Sequence, residues 1–93
     1  MVAIEIDPES AIDYYNRGYA YLNIGNYEQA IANYDRAIEI DPQDAMAYFI
    51  RGASLLKMGK KQKAMSDLER ALELGLPTEL QEEAEALLDE LSQ

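Results

Sequence analysis

Any chemistry in this chain would have to come from carboxylates. Its 93 residues include 18 Asp and Glu but no histidine and no cysteine. Lacking histidine, it has neither the commonest general base near neutral pH nor the commonest transition-metal ligand. Lacking cysteine, it has no thiolate, no disulfide and none of the commonest structural zinc ligands, which fits a reducing compartment. A Ser–His–Asp or Cys–His set is therefore impossible. The carboxylates around Asp41 and Asp44 lack the spacing and central glycine of a calcium loop, and no glycine-rich phosphate cradle occurs. The expectation is a chain without catalytic residues, metal or cofactor.

The cations are few and half of them stand together. Lys57, Lys60, Lys61 and Lys63 fall within seven positions, a group that reads as a solvated turn or, in the second reading, as a surface for an acidic partner. A net charge of −10 argues against binding a phosphate backbone, which needs clustered Lys and Arg to displace counterions. There is no run of about 18 apolar residues that could span a membrane. The N-terminus lacks the basic and apolar regions of a signal peptide. The cytoplasm is the default compartment.

With no reactive constellation to position, the informative feature is a repeat. Ala3-Ile4-Glu5-Ile6-Asp7-Pro8 returns letter for letter as Ala37-Ile38-Glu39-Ile40-Asp41-Pro42, an offset of 34 residues. At the same offset Tyr14, Arg17, Gly18, Leu22, Gly25, Ala30, Arg36 and Ala37 recur as Tyr48, Arg51, Gly52, Leu56, Gly59, Ala64, Arg70 and Ala71. Self-similarity at a period of about 20–50 residues signals a stacked array.

Stop and start signals divide the array into helices. Ser10 can cap a helix over Ala11–Ile24, and Gly25 sits where a left-handed stop residue is wanted. Asn26 with Gln29 has the capping-box pattern for a helix to about Ile40, ended by Asp41-Pro42. Asp44 caps a third helix to Met58, stopped by Gly59. A fourth, over Lys61–Leu74, starts with Lys60 where the first repeat has Asn26, and its crowded lysines oppose the helix dipole. Gly75 and Leu76 read as a stop residue and its hydrophobic contact. Thr78 and Gln81 read as a capping box for a fifth helix, whose apolar stripe is Leu80, Ala84, Leu87, Leu88 and Leu91. The rest of that helix is acidic, as suits an end cap.

Within each unit, small and aromatic residues hold fixed places: Tyr14, Gly18, Tyr21, then Ala30, Tyr34, Ala37 and Pro42. The second copy reads Tyr48, Gly52, Leu55, Ala64, Leu68 and Ala71. This pattern resembles the tetratricopeptide repeat. The resemblance implies an all-α, right-handed α-solenoid of antiparallel helix pairs with about five helices. Residues 1–8 would be the tail of a preceding repeat, 11–44 the first repeat, 45–77 the second and 78–93 a capping helix. Arg17 and Arg51 stand where the family often has Leu, and the second repeat lacks the aromatics matching Tyr21, Tyr27 and Tyr34.

At 100° per residue, Tyr14, Gly18 and Tyr21 form one stripe of the first helix, facing the second. Ile12, Tyr15, Tyr19 and Leu22 form another, roughly opposite. A helix apolar on two sides is either buried between neighbours or lines a binding surface. In the family the first helices line a concave groove that takes extended peptides or partner helices. Carried over, this implies a groove of Ile12, Tyr15, Asn16, Tyr19 and Asn23 with Met46, Phe49, Ile50, Ala53 and Lys57. Packing between repeats competes for Tyr15, Tyr19 and Phe49, and it is the favoured reading for Leu22, Ala53 and Leu56. The family's carboxylate clamp is missing, since Tyr15, Tyr19 and Ile50 occupy its places. The expected role is a protein-interaction module with an apolar peptide or helix as ligand. The alternative is a structural, self-assembling domain, a homodimer joined through the groove or the apolar half-helix Val2–Ile6, or a piece of a longer array.

Overall fold

The computed structural model describes residues 10–93, and five helices account for most of them. These are α1 (Ala11–Asn23), α2 (Tyr27–Ile40), α3 (Ala45–Lys57), α4 (Lys61–Leu74) and α5 (Thr78–Leu91). The expected half-helix Val2–Ile6 lies outside the described residues. Each helix packs on the one before it, α1 with α2, α2 with α3, α3 with α4 and α4 with α5, in an all-α solenoid.

The turn between α1 and α2 shows how tightly local sequence specifies this fold. Gly25 has φ +81°, a conformation that costs a residue with a Cβ, and its N–H donates to the Leu22 carbonyl at 3.0 Å. The next N–H, that of Asn26, donates to the Tyr21 carbonyl at 2.9 Å, completing a Schellman stop. The same Asn26 then starts α2, its Oδ1 accepting from the Gln29 N–H at 3.3 Å. The expected capping box is only half made here. The Asn26 N–H that Gln29 would have accepted from is already spent on Tyr21. One repeat later, Gly59 and Lys60 donate in the same way to Leu56 and Leu55.

Two further caps differ from expectation. Ser10 and Asp13 form a complete reciprocal box on α1: Ser10 Oγ accepts from the Asp13 N–H, and Asp13 Oδ2 accepts from the Ser10 N–H. The Thr78–Gln81 box does not form. Pro77, extended at φ −58° and ψ 150°, is itself the N-cap, so Thr78 is already the first helical residue. From that position its hydroxyl makes no cap bond, and the Gln81 N–H goes instead to the Pro77 carbonyl at 2.8 Å.

The helix pairs close at glycine. A Cβ on Gly18 would sit 3.1 Å from the Tyr34 ring and 3.2 Å from the Ala30 carbonyl oxygen. A Cβ on Gly52 would meet the Ala64 carbonyl oxygen and Asp67 Cβ, each at 3.2 Å. Around these crossings Ala30, Tyr34, Ala37, Ala64, Leu68 and Ala71 have no exposed surface. Leu76, after the stop at Gly75, packs on the core together with the α5 stripe of Leu80, Leu87, Leu88 and Leu91. The apolar side of α5 thus covers α4 and leaves its glutamates outside.

Two outcomes test this account of closure and capping. Gly18→Val should destabilise the domain by about 2 kcal/mol in urea unfolding, because neither backbone nor a buried ring can move aside cheaply. Lys60 has φ −93° and ψ 71°, close to the −91° and 79° of Asn26, yet makes no side-chain cap bond. Lys60→Asn should therefore raise stability by about 1 kcal/mol, read as a higher melting temperature by circular dichroism.

Candidate peptide-binding groove

Tyr34 organises the space between α1 and α2. Its ring crosses the gap left by Gly18, fully buried, and meets the Tyr15 ring edge-on with centroids 5.5 Å apart at 75°. Tyr15 was expected on the stripe facing away from α2. Because Gly18 lets the Tyr34 ring pass through the crossing, Tyr15 is half-buried against it instead. Tyr14, expected in the core, is also half-buried, with the guanidinium groups of Arg17 and Arg36 at 5.2 and 5.4 Å from its ring centre.

The expected groove residues divide by helix. On α1, Ile12 is 68% exposed and Tyr19 49%, with Asn16 and Asn23 also exposed. On α3, Phe49 and Ile50 are only 7% and 9% exposed, Met46 and Ala53 are half-buried, and Lys57 is open. The asymmetry has a packing cause. Helix α3 lies between α2 and α4, whereas among the described helices α1 has α2 as its main packing partner. Phe49 and Ile50 therefore belong to the core cluster with Tyr34, Leu68 and Ala84, and Met46, Tyr15 and Leu22 lean on it. The sequence reading did not pick out Ile24 or Ile40, exposed at 75% and 45%. Both stand at helix ends, where a stripe count gives no signal.

The arginines that depart from the family pattern have partners sixteen residues away. Arg51 grips Asp67 with two hydrogen bonds of 2.8 Å, from Nε and from the guanidinium end, and reaches Asp35 at 2.9 Å. One side chain of α3 thus ties α2 to α4. Asp67 is buried and its hydrogen bonds raise the Arg51 pKa well above the ordinary arginine value, against the burial that lowers it. In the first repeat Asn33 stands in place of Asp67, and Arg17 donates to it over a longer 3.5 Å. No group of three or more metal-ligating side chains occurs among the described residues, and no described helix is long and apolar enough to cross a membrane.

Models of the tetratricopeptide repeat match residues 11–44 and, with a second model, 33–66. The chain belongs to the tetratricopeptide-repeat family. No curated protein matches it by sequence. Among solved structures, it is similar to the Yersinia enterocolitica type III secretion chaperone SycD in complex with a peptide of the translocator YopD. That similarity has a TM-score of 0.87 at 23% identity, covering 92% of this chain and 69% of the other. It is also similar to two tetratricopeptide domains of Spaghetti (RPAP3) bound to the HSP90 peptide SRMEEVD. The second of those domains gives a TM-score of 0.73 at 26% identity, covering 98% and 88%. The first gives 0.80 at 27%, covering 94% and 70%.

The buried ring of Tyr34 carries a testable consequence. Among the described residues its hydroxyl has no hydrogen-bond partner. Burial first, then the neighbouring Tyr15 and Tyr19, pushes its pKa above the ordinary tyrosine value of 10.0. In the unfolded chain the phenol ionises near that ordinary value, while the folded chain holds its proton. Stability is therefore intact below about pH 10 and falls as pH rises from there toward the folded pKa. Tyr34→Phe should flatten this alkaline loss, followed by urea unfolding at stepped pH. At neutral pH it should cost under about 1 kcal/mol, because no hydrogen bond is removed.

Proposed function

We propose that the chain is a protein-interaction module that receives a peptide or partner helix along the first helices of its repeats. The observation that carries the reading is the open apolar surface of α1, with Ile12 and Tyr19 exposed alongside Asn16 and Asn23. Tyrosine is well suited to such a surface, offering rigid contact area with a polar tip at small entropic cost. The exposed asparagines can bond a peptide backbone, and Lys57 stands at the far end of α3. Phe49 and Ile50 then serve as the floor beneath a ligand rather than as protruding contacts. The RPAP3 domains that share this fold hold a peptide, which supports the same class of role here.

The ligand in this reading is apolar and is not held by its terminal carboxylate, because Tyr15, Tyr19 and Ile50 occupy the places where a clamp would need Lys and Asn. A second copy of the chain is the alternative occupant of this exposed surface, motivated by the open apolar side chains Ile12 and Tyr19 on α1, with Ile24 and Ile40 also exposed at helix ends.

Selection from a displayed peptide library should yield apolar sequences that bind the wild type. Ile12→Asn/Tyr19→Ala should weaken them by about thirtyfold, the effect of losing central apolar anchors, with an unchanged melting curve. The peptide SRMEEVD should bind the wild type no better than its amidated form. Equal binding of selected peptides by wild type and variant would remove the groove. Sedimentation showing a dimer that this variant dissociates would favour the second copy.

A further inference from the structure

Behind the groove, on the other side of α3, lies a second concavity. Stepping 100° per residue, Arg51, Leu55 and Met58 fall opposite Met46, Ile50 and Ala53 on α3. They floor a trench walled by α2 and α4. One hollow, of about 360 Å³, contains Arg51 between Asp35 and Asp67. The next, of about 290 Å³, is lined by Glu28, Met58 and Lys60. Ile31, Leu55 and Lys63 line both, so the two form one cleft.

The ends of this cleft differ in electrostatic character. At the Arg51 end the cation is consumed by two carboxylates. Away from Arg51 the cleft is edged by Lys63 and then Lys60, with Lys61 beside them outside it; all three are exposed, and among the described residues none of them makes an ion pair. This is unexpected where carboxylates outnumber cations 18 to 8. Arg36 and Arg70, by contrast, each pair with a Glu three residues on. The lysines also work against their own helix, crowding its positive end with Lys60 in the cap position. Local rules broken without a compensating structural gain mark places where function is served.

We propose that this cleft docks an acidic segment of a partner protein. An apolar side chain of the segment seats on Ile31, Leu55 and Met58, and its carboxylates lie along the α4 wall against Lys60 and Lys63. Glu28 on the α2 wall sets that orientation by repelling carboxylates toward α4. The surface is distinct from the α1–α3 groove and does not depend on it.

The test uses a short dye-labelled peptide of repeated Glu-Glu-Leu units, followed by fluorescence anisotropy against the full chain at low salt. Wild type should bind it, and binding should weaken as salt screens the exposed charges. Lys60→Asn/Lys63→Gln should weaken it by about fivefold to tenfold. Lys60→Asn improves the cap of α4, so unfolding cannot account for that loss. A Glu-Glu-Ser peptide should bind more weakly than Glu-Glu-Leu, reporting the apolar seat, and Tyr19→Ala in the groove should change nothing. Failure of wild type to bind, or equal binding by the lysine variant, overturns the proposal. So does tighter binding of an oligothymidylate, which would make the edge a general polyanion surface. Self-association abolished by Lys60→Asn/Lys63→Gln would also overturn it, assigning the cleft to the acidic outer face of α5 in a second copy.

Discussion

The two helices of each repeat approach most closely where one of them offers no Cβ at the crossing, at Gly18 in the first pair and Gly52 in the second. The rest of the packing follows from these approaches. With the backbones so near, the facing positions must be small, and Ala30 and Ala64 fill them without exposed surface. The large residue on the next turn, Tyr34 or Leu68, then fills the remaining gap. A tyrosine reaches through that gap to Tyr15, whereas a leucine does not, so the two repeats share a frame and differ in what emerges beyond it.

Stacking the pairs adds a constraint of another kind. Arg51 lies on the middle helix of three and binds carboxylates on both neighbours, so its geometry is set only once α2, α3 and α4 are all in place. Its bidentate hold on buried Asp67 compensates two charges that would otherwise be costly to desolvate. Position in the stack also decides exposure. Equivalent positions in α1 and α3 have different fates, Tyr19 exposed and Ala53 half-buried, Ile12 bare and Met46 half-buried. Of these two helices only α3 is packed between two others, α2 and α4, whereas the main partner of α1 among the described helices is α2.

Charge is distributed with the same economy. Arg36, Arg51 and Arg70 are paired with carboxylates, the glutamates of α5 form an outer skin, and the lysines gather at one turn beside a cleft. This arrangement gives the molecule two chemically different faces, the exposed apolar face of α1 that carries the proposed groove and a separate cleft edged by lysines that make no ion pair among the described residues. A small solenoid offers both because its helices have two long sides.

What the sequence determined by itself was the local and repeating part of the structure. Gly25 and Gly59, Asn26 and Asp44, and the 34-residue recurrence specify helix ends and pairing through backbone conformation and capping, which act within a few residues. The caps that were misread, Thr78 at α5 and Gln29 at α2, failed for reasons equally local: an extended proline took the cap, and a Schellman bond took the donor. The candidate groove was legible on α1, where residues face outward, and only partly on α3. Tertiary structure alone decided that Phe49 and Ile50 are core, that Tyr15 leans on Tyr34, and that Arg51 joins Asp35 to Asp67. Helical periodicity tells which side chains share a face. It carries no information on whether another helix lies against that face, and burial is a property of the neighbour.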